Sequence, residues 1–298
     1  MTNDPAAPVL VMGASGKTGR AVTAALVARG QPVRAAVRSE TGAKTAHVAG
    51  AREIAHVDLA SGFGLAAAVA GCRAVYHLAP NVHPDEVGIA TRVVAAARAA
   101  GVRRIVFHSV LHPDDHTMPH HQRKAAAEEV VRGSGLAWTM LRPAAYHQNL
   151  TEAALQGRLA VPYRLDAPFT NVDLRDVAEV AALVLRADAT GQHEGQTYDL
   201  CGAETLTVTR MAHIAGSVLG REVTAERVEP AEWARGPGAR LSPGALDDLL
   251  AMFAAYDRRG FVGSAAALRI LLRRAPGTWA EVLRREVLPS QVSDEQSG

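Results

Sequence analysis

Within the first 143 residues, six short apolar runs alternate with longer amphipathic stretches, and this alternation constrains the fold more than any other feature. The runs are PVLVMG, PVRAAVR, AREIAHVD, CRAVYHLA, RRIVFHSV and LAWTMLRP. The stretches between them carry helical spacing: residues 17–29, a short helix before the third run, residues 84–100 stopped by Gly101, and residues 120–133 stopped by GSG. Short strands separated by helices of this length are joined as parallel βαβ units. The expected fold class is therefore α/β, a doubly wound parallel sheet with helices on both faces.

After residue 143 the alternation loosens. FTNVDLRDVAEVAALVLRAD reads as a strand and then a helix, with Asp173 as a candidate cap near the helix start. QTYDLCG reads as another strand, residues 207–219 as a helix ending at Gly220, and residues 230–287 as mainly helical. The organisation expected is a dinucleotide-binding Rossmann domain over 1–150, with 168–202 returning to it. A smaller, mainly helical substrate-binding region takes 151–167 and 203–287, and the polar 288–298 form a disordered tail.

The first strand runs into VLVMGASGKTGRAV, which allows two phosphate-binding readings. A triphosphate loop needs a glycine five positions before Gly16, where the wrapping backbone begins. Val11 stands there, inside the strand, so that reading fails. Gly13, Gly16 and Gly19 instead have the spacing of a dinucleotide turn that follows a strand and opens a helix. Gly13 would make the tight turn, Gly16 would admit the pyrophosphate, and Gly19 would let helix and strand pack closely. Ser15, Lys17 and Thr18 are grouped with this loop. The helix N-terminus then faces the pyrophosphate.

The end of strand two separates the two nicotinamide dinucleotides. An acid there grips the ribose 2′-hydroxyl of NAD. This chain has Arg38 and Ser39, and a cation in that place suits the 2′-phosphate of NADP(H). Arg38 as a solvated surface residue is the competing reading. Asp58, closing HVDL, is placed either to meet the adenine edge or to cap the segment 61–70.

Composition excludes several other classes. A net charge of +2, with no long basic block, gives no electrostatic case for nucleic acid. No run reaches the roughly 18 apolar residues of a membrane span, and the N-terminus has no basic segment leading into an apolar one. Cys72 and Cys201 lie far apart, so a reducing, cytoplasmic setting is expected.

The glycine turn, together with VYHLAP, RRIVFHSV, HHQRKAAAEEVVRGSGLAWTMLRPAAYHQNL, VDLRDVAEVAA and LLRRAPGTWAEVLRREV, resembles the NmrA-like proteins, atypical members of the short-chain dehydrogenase/reductase superfamily. The resemblance spans about residues 8–287. It implies that the three glycines hold the pyrophosphate, that Arg38 holds the 2′-phosphate, and that Leu78, Ala79 and Pro80 line the cofactor. It also implies that Lys124 reaches the nicotinamide ribose and that Pro143, Ala144 and Tyr146 lie near the nicotinamide.

The main short-chain family places a tyrosine four residues before this lysine. Here His120 stands there, in the His-x-x-x-Lys pattern of NmrA-like chains. His120 is either a proton donor, since imidazole titrates near neutrality, or a polar residue of the cleft. A nearby Lys124 ammonium would favour its neutral form. Ser109, closing strand five, either hydrogen-bonds a substrate oxygen or caps the next segment. Tyr146 is a second proton donor or a buried structural tyrosine. His108, His112, His116 and His120 recur every four residues, but Pro113 and Pro119 break the helix that would make this a metal face, so the stretch reads as a His-rich lid and no metal is expected.

Two functions follow. The first is an NADPH-dependent reductase of a small, largely apolar organic substrate, such as a quinone, enone or ketone of secondary metabolism. The second is a non-catalytic, NADP(H)-binding redox sensor that regulates a protein partner. A small-molecule substrate and a homodimer are the partners considered; nucleic acid and membrane are not.

Overall fold

The computed structural model describes Asp4, residues 6–186 and residues 191–294. In chain order the first elements are β1 (Val9–Val11), α1 (Lys17–Val27), β2 (Val33–Val37), α2 (Glu40–Val48), β3 (Glu53–His56), α3 (Leu65–Val69), β4 (Ala74–His77), α4 (Glu86–Ala99), β5 (Arg104–His108), α5 (Pro119–Arg132) and β6 (Ala137–Pro143). There follow a 3-10 turn (His147–Asn149), α6 (Thr151–Leu155), β7 (Arg158–Val161), α7 (Leu174–Val184), β8 (Gln196–Leu200), α8 (Val208–Leu219) and β9 (Thr224–Arg227). The last are α9 (Pro230–Arg235), a second 3-10 turn (Pro237–Arg240), α10 (Pro243–Arg259), α11 (Ala266–Leu272) and α12 (Trp279–Asp294).

The chain divides into two compact units, Met1–Arg142 with Val177–Tyr198, and Pro143–Asp176 with Asp199–Gly298. The first holds a seven-stranded sheet in the order β3-β2-β1-β4-β5-β6-β8. Strands β1 to β6 pair in parallel, as right-handed βαβ crossovers require. The order reverses beside β1, because β2 and β4 both pair with it.

The pleat sorts the strand residues. Leu10 and Met12 turn to one face and pack with Val75, Ile105, Phe107 and Met140 of the sheet. Leu65 and Ala68 of α3, Ile89 and Val93 of α4, and Ala127 and Val131 of α5 cover that face. Burying each Leu, Ile, Phe or Met here contributes about 1.5–3 kcal/mol. Around the opposite face, Gln31 Nε2 donates to Ala182 O at 3.0 Å and Arg29 pairs with Glu179 of α7 at 2.8 Å.

The unit boundaries fall at 142/143, 176/177 and 198/199, where the sequence reading placed 150, 168 and 202. Backbone pairing within the second unit accounts for the difference. Phe169 exchanges hydrogen bonds with Leu206, Thr170 N donates to Phe261 O, and Val172 N donates to Ala145 O. Residues 168–176 are thereby committed before α7 carries the chain back.

The second unit also contains a parallel pair, β7 with β9, which the sequence reading lacked. Thr-Ala-Glu-Arg has no apolar alternation to announce a strand. Helix α12 continues to Asp294, which corrects the disordered tail from residue 288 onward. Buried Trp279, Val282 and Leu283 anchor its first turns, and a nucleated helix propagates into polar sequence. Residues 295–298 of that expected tail lie outside the described residues. No described helix is long and apolar enough to cross a membrane.

Candidate active site

The glycine turn joins β1 to α1. Gly13 has φ +60°, a left-handed conformation that suits glycine. A Cβ on Gly19 would stand 2.1 Å from Gly13 O and 2.7 Å from Ala14 Cα, so α1 can approach the turn only at a glycine. A Cβ on Gly16 would meet only Gly13 O, at 3.3 Å. Gly16 is the N-cap of α1 and supplies no side-chain cap, and the first turn carries no acid. The turn is anchored by Met12 N to Tyr76 O and Ala14 N to Ala36 O. The start of α1 therefore offers backbone N–H groups and the positive dipole end to an anion. Lys17 is exposed, Thr18 is half-buried, and half-buried Ser15 sits against Gly42.

Around this turn the other proposed cofactor residues come from the ends of β2, β3 and β4. Arg38 follows β2 and is exposed; next to it, Ser39 caps α2 by accepting from Gly42 N. Asp58 follows β3. Its carboxylate accepts from Ser61 Oγ at 2.7 Å and Ala60 N at 3.0 Å. These bonds, with a smaller contribution from the Arg38 charge, hold it below the usual carboxylate range. Asp58 thus caps its own turn, while α3 starts later behind Gly64. Leu78 follows β4, and its side chain lies 3.4 Å from where a Gly13 Cβ would be. Ala79 is buried and Pro80 half-buried beyond it.

Lys124 lies on α5 and is 5% exposed. Its ammonium is 2.7 Å from Glu86 Oε1, donates to His108 O at 3.1 Å, and stands 5.2 Å from the Phe107 ring centroid. Glu86 is fully buried on the first turn of α4, one residue after the N-cap Asp85. The sequence reading missed Glu86. An acid after a cap reads as an ordinary helix start, and only burial distinguishes it.

Histidines surround this ammonium. Burial first, and then the Lys124 charge, pushes His77, His108 and His120 each down to about 3. His121 is pushed down to about 4, again chiefly by burial. His120 is thus a neutral imidazole near pH 7, with Nδ1 buried and without a hydrogen-bond partner. It can offer a hydrogen bond but is not a stored acid. The spacing of four among these histidines does not put them on one face. His108 ends β5, His112 sits in a left-handed turn at φ 51°, and His116 Nδ1 accepts from Gln122. Leu111 and Met118 are buried, so the stretch is packed down rather than an open lid. Among the described residues no group of three or more His, Cys, Asp or Glu is placed to hold a metal ion.

Ser109 is 1% exposed, and its amide donates to Leu141 O. Its hydroxyl helps lower the pKa of Glu128, whose carboxylate takes both Arg142 and Arg132. Ser109 is therefore buried near this ion cluster in the interior of its unit, and its hydroxyl has no hydrogen-bond partner. In the second unit, Pro143 is buried at the end of β6 and Ala144 N donates to Leu200 O. Tyr146 is half-buried, bridges to Val172 and opens the 3-10 turn. Behind it His147 stacks on Trp279 with ring centroids 5.4 Å apart.

Known proteins resemble this chain in sequence and fold. The sequence profile of the NmrA-like family matches residues 5–262. A (4-alkanoyl-5-oxo-2,5-dihydrofuran-3-yl)methyl phosphate reductase of Streptomyces griseus subsp. griseus is 35% identical over 229 residues, 74% of this chain and 77% of that protein. An NADPH-dependent quinone oxidoreductase of Escherichia coli, solved with NADPH, has a TM-score of 0.78 at 24% identity, covering 94% of this chain and 99% of that one. NmrA, a negative transcriptional regulator solved with NAD, has a TM-score of 0.75 at 19% identity, covering 98% of each chain. The last two likenesses establish the fold. With the profile match spanning both units and the Streptomyces relative above 30% identity, the chain belongs to the NmrA-like family.

Proposed function

We propose that this chain is an NADPH-dependent reductase that transfers hydride to a small, largely apolar organic acceptor such as a quinone, an enone or a ketone. The observation that carries the reading is the β1–α1 turn. A left-handed Gly13, a Gly19 with no room for a Cβ, and an uncapped α1 start free of acids suit a pyrophosphate. Exposed Arg38 at the end of β2 suits a 2′-phosphate. When bound, NADPH supplies the hydride, and the protein supplies placement. Relatives named as reductases support the same reading.

Each residue has a limited task. The N–H groups at the start of α1 bind the pyrophosphate, and Arg38 balances the 2′-phosphate. Lys124, paired in charge with Glu86, holds the nicotinamide ribose through an N–H that His108 O does not take. His120 enters neutral, so it orients by hydrogen bonding rather than by giving up an imidazolium proton. An acceptor such as a quinone or activated enone tolerates this, because it can take hydride first and a proton from water afterwards.

The neutral His120 also favours a second reading, a sensor that binds NADP(H) without turnover, as the likeness to the regulator's fold allows. Loss of nicotinamide absorbance with a panel of quinones, enones and ketones separates the two. Turnover supports the reductase; tight NADPH binding with no turnover on any acceptor supports the sensor.

A further inference from the structure

The buried pair at the head of α4 and α5 has no stability rationale of its own. Glu86 is fully buried and Lys124 is 5% exposed. Desolvating two charges offsets most of their attraction, and apolar replacements of such pairs are often neutral or stabilising. Lys124 has three N–H donors. His108 O accepts one of them at 3.1 Å, and Glu86 Oε1, 2.7 Å away, holds the ammonium as an ion pair whose oxygens accept no hydrogen bond. The backbone delivering these groups is itself constrained. Val82, a β-branched residue that is 4% exposed, is held at φ 52° four residues before Glu86. His112 is held at φ 51° in the loop after β5, and its carbonyl accepts from His121, three residues before Lys124 on α5. Such strain costs on the order of 1–3 kcal/mol per residue and collects where geometry matters for function.

We propose that Glu86 is the positioning residue of the cofactor site: its buried charge pins the Lys124 ammonium so that an N–H not taken by His108 O is presented to the nicotinamide ribose. This inference rests on the reading of Lys124 as the ribose anchor. Glu86 touches neither cofactor nor substrate and acts only through Lys124.

The test is a double-mutant cycle read by NADPH fluorescence titration, with thermal midpoints recorded for every variant. K124M should weaken NADPH by about tenfold to a hundredfold, the size of one charge-assisted hydrogen bond. E86Q, which keeps the shape and removes the charge, should weaken it by a similar factor. The double variant E86Q/K124M should bind no more weakly than K124M, because the two effects are one effect. In turnover the loss should fall on KM for NADPH and leave KM for the acceptor unchanged. If E86Q lowers the midpoint and leaves NADPH affinity untouched while K124M weakens it, the pair is structural and the inference fails, though Lys124 remains the anchor. Additive losses in the double variant also overturn it. Unchanged affinity in K124M overturns the reading of Lys124 and the inference together.

Discussion

At the scale of single residues, the three glycines of the turn are not equivalent, and the space around each says how they differ. A Cβ at Gly16 meets one carbonyl oxygen at 3.3 Å, whereas a Cβ at Gly19 would drive into backbone at 2.1 Å. Gly19→Ala should therefore destabilise the protein by about 1–3 kcal/mol, the usual cost of overpacking, and lose NADPH with it. Gly16→Ala should keep a near wild-type thermal midpoint and still bind NADPH more weakly, as expected if the start of α1 holds the pyrophosphate. Differential scanning fluorimetry beside an NADPH titration reads both; equal midpoints for the two variants would refute the distinction. Arg38 supports a second residue-level expectation. It is exposed and its neighbouring carboxylate, Asp58, already holds Ser61 and Ala60. Arg38→Asp should weaken NADPH far more than NADH, and equal losses for both cofactors would remove Arg38 from the 2′-phosphate site. Arg38 was legible because the end of strand two is a fixed position in the pattern. Glu86 was not, because burial of a helix-start acid depends on what packs over it.

At the scale of elements, Asp173 holds together the start of α7 and helix α12 within the second unit. Its carboxylate caps α7 by accepting from Arg175 N at 3.0 Å, as the sequence suggested for this residue. It also takes both Arg285 Nη groups of α12, at 2.9 and 3.0 Å, and Gln148 Nε2 at 2.7 Å. Burial would raise this acid; Arg285, the Arg175 amide and Gln148 together hold it below the usual carboxylate range. Trp279 secures the same helix, fully buried with Nε1 donating to Met211 O. Arg285→Ala should leave a buried carboxylate short of its cation and cost about 1–3 kcal/mol, the Asp173 bonds to Gln148 and Arg175 N limiting the loss. Chemical denaturation followed by the fluorescence of the three tryptophans would read this, and an unchanged midpoint would show that Arg285 contributes nothing net.

At the scale of the whole molecule, buried neutral histidines set the response to acid. His77, His108 and His120 sit at about 3 and His121 and His147 at about 4, against an ordinary value of 6.5. Between those limits the unfolded chain binds protons that the folded chain refuses. Stability is therefore complete above about pH 6.5, falls as pH drops below it, and the histidine contribution levels off near pH 3. Each histidine adds a slope of up to about 1.4 kcal/mol per pH unit in that window. His77 isolates the effect, because neither ring nitrogen has a partner and the ring packs 5.2 Å from Phe107. His77→Leu should keep or raise stability at pH 7 and flatten the decline between pH 6.5 and 4. Urea midpoints measured across that range would show it, and an unaltered slope would mean that His77 takes up its proton in the folded state.

The sequence by itself determined the sheet and the glycine turn between β1 and α1, because both rest on local rules. Strand-length apolar runs, helix-length amphipathic stretches and glycines at fixed spacing are each written within a few residues of where they act. The same locality made Arg38, Lys124 and His120 recognisable as candidates. Only the tertiary structure decided their states. Lys124 has a carboxylate partner 38 positions earlier in the chain, which no local pattern encodes. His120 is neutral because helix packing removes it from water, and Ser109 is 1% exposed because the end of β5 lies inside the sheet. The second unit's β7–β9 pair and its claim on residues 168–176 likewise rest on backbone bonds between distant segments. Burial and charge are properties of neighbours, and neighbours are chosen by the fold.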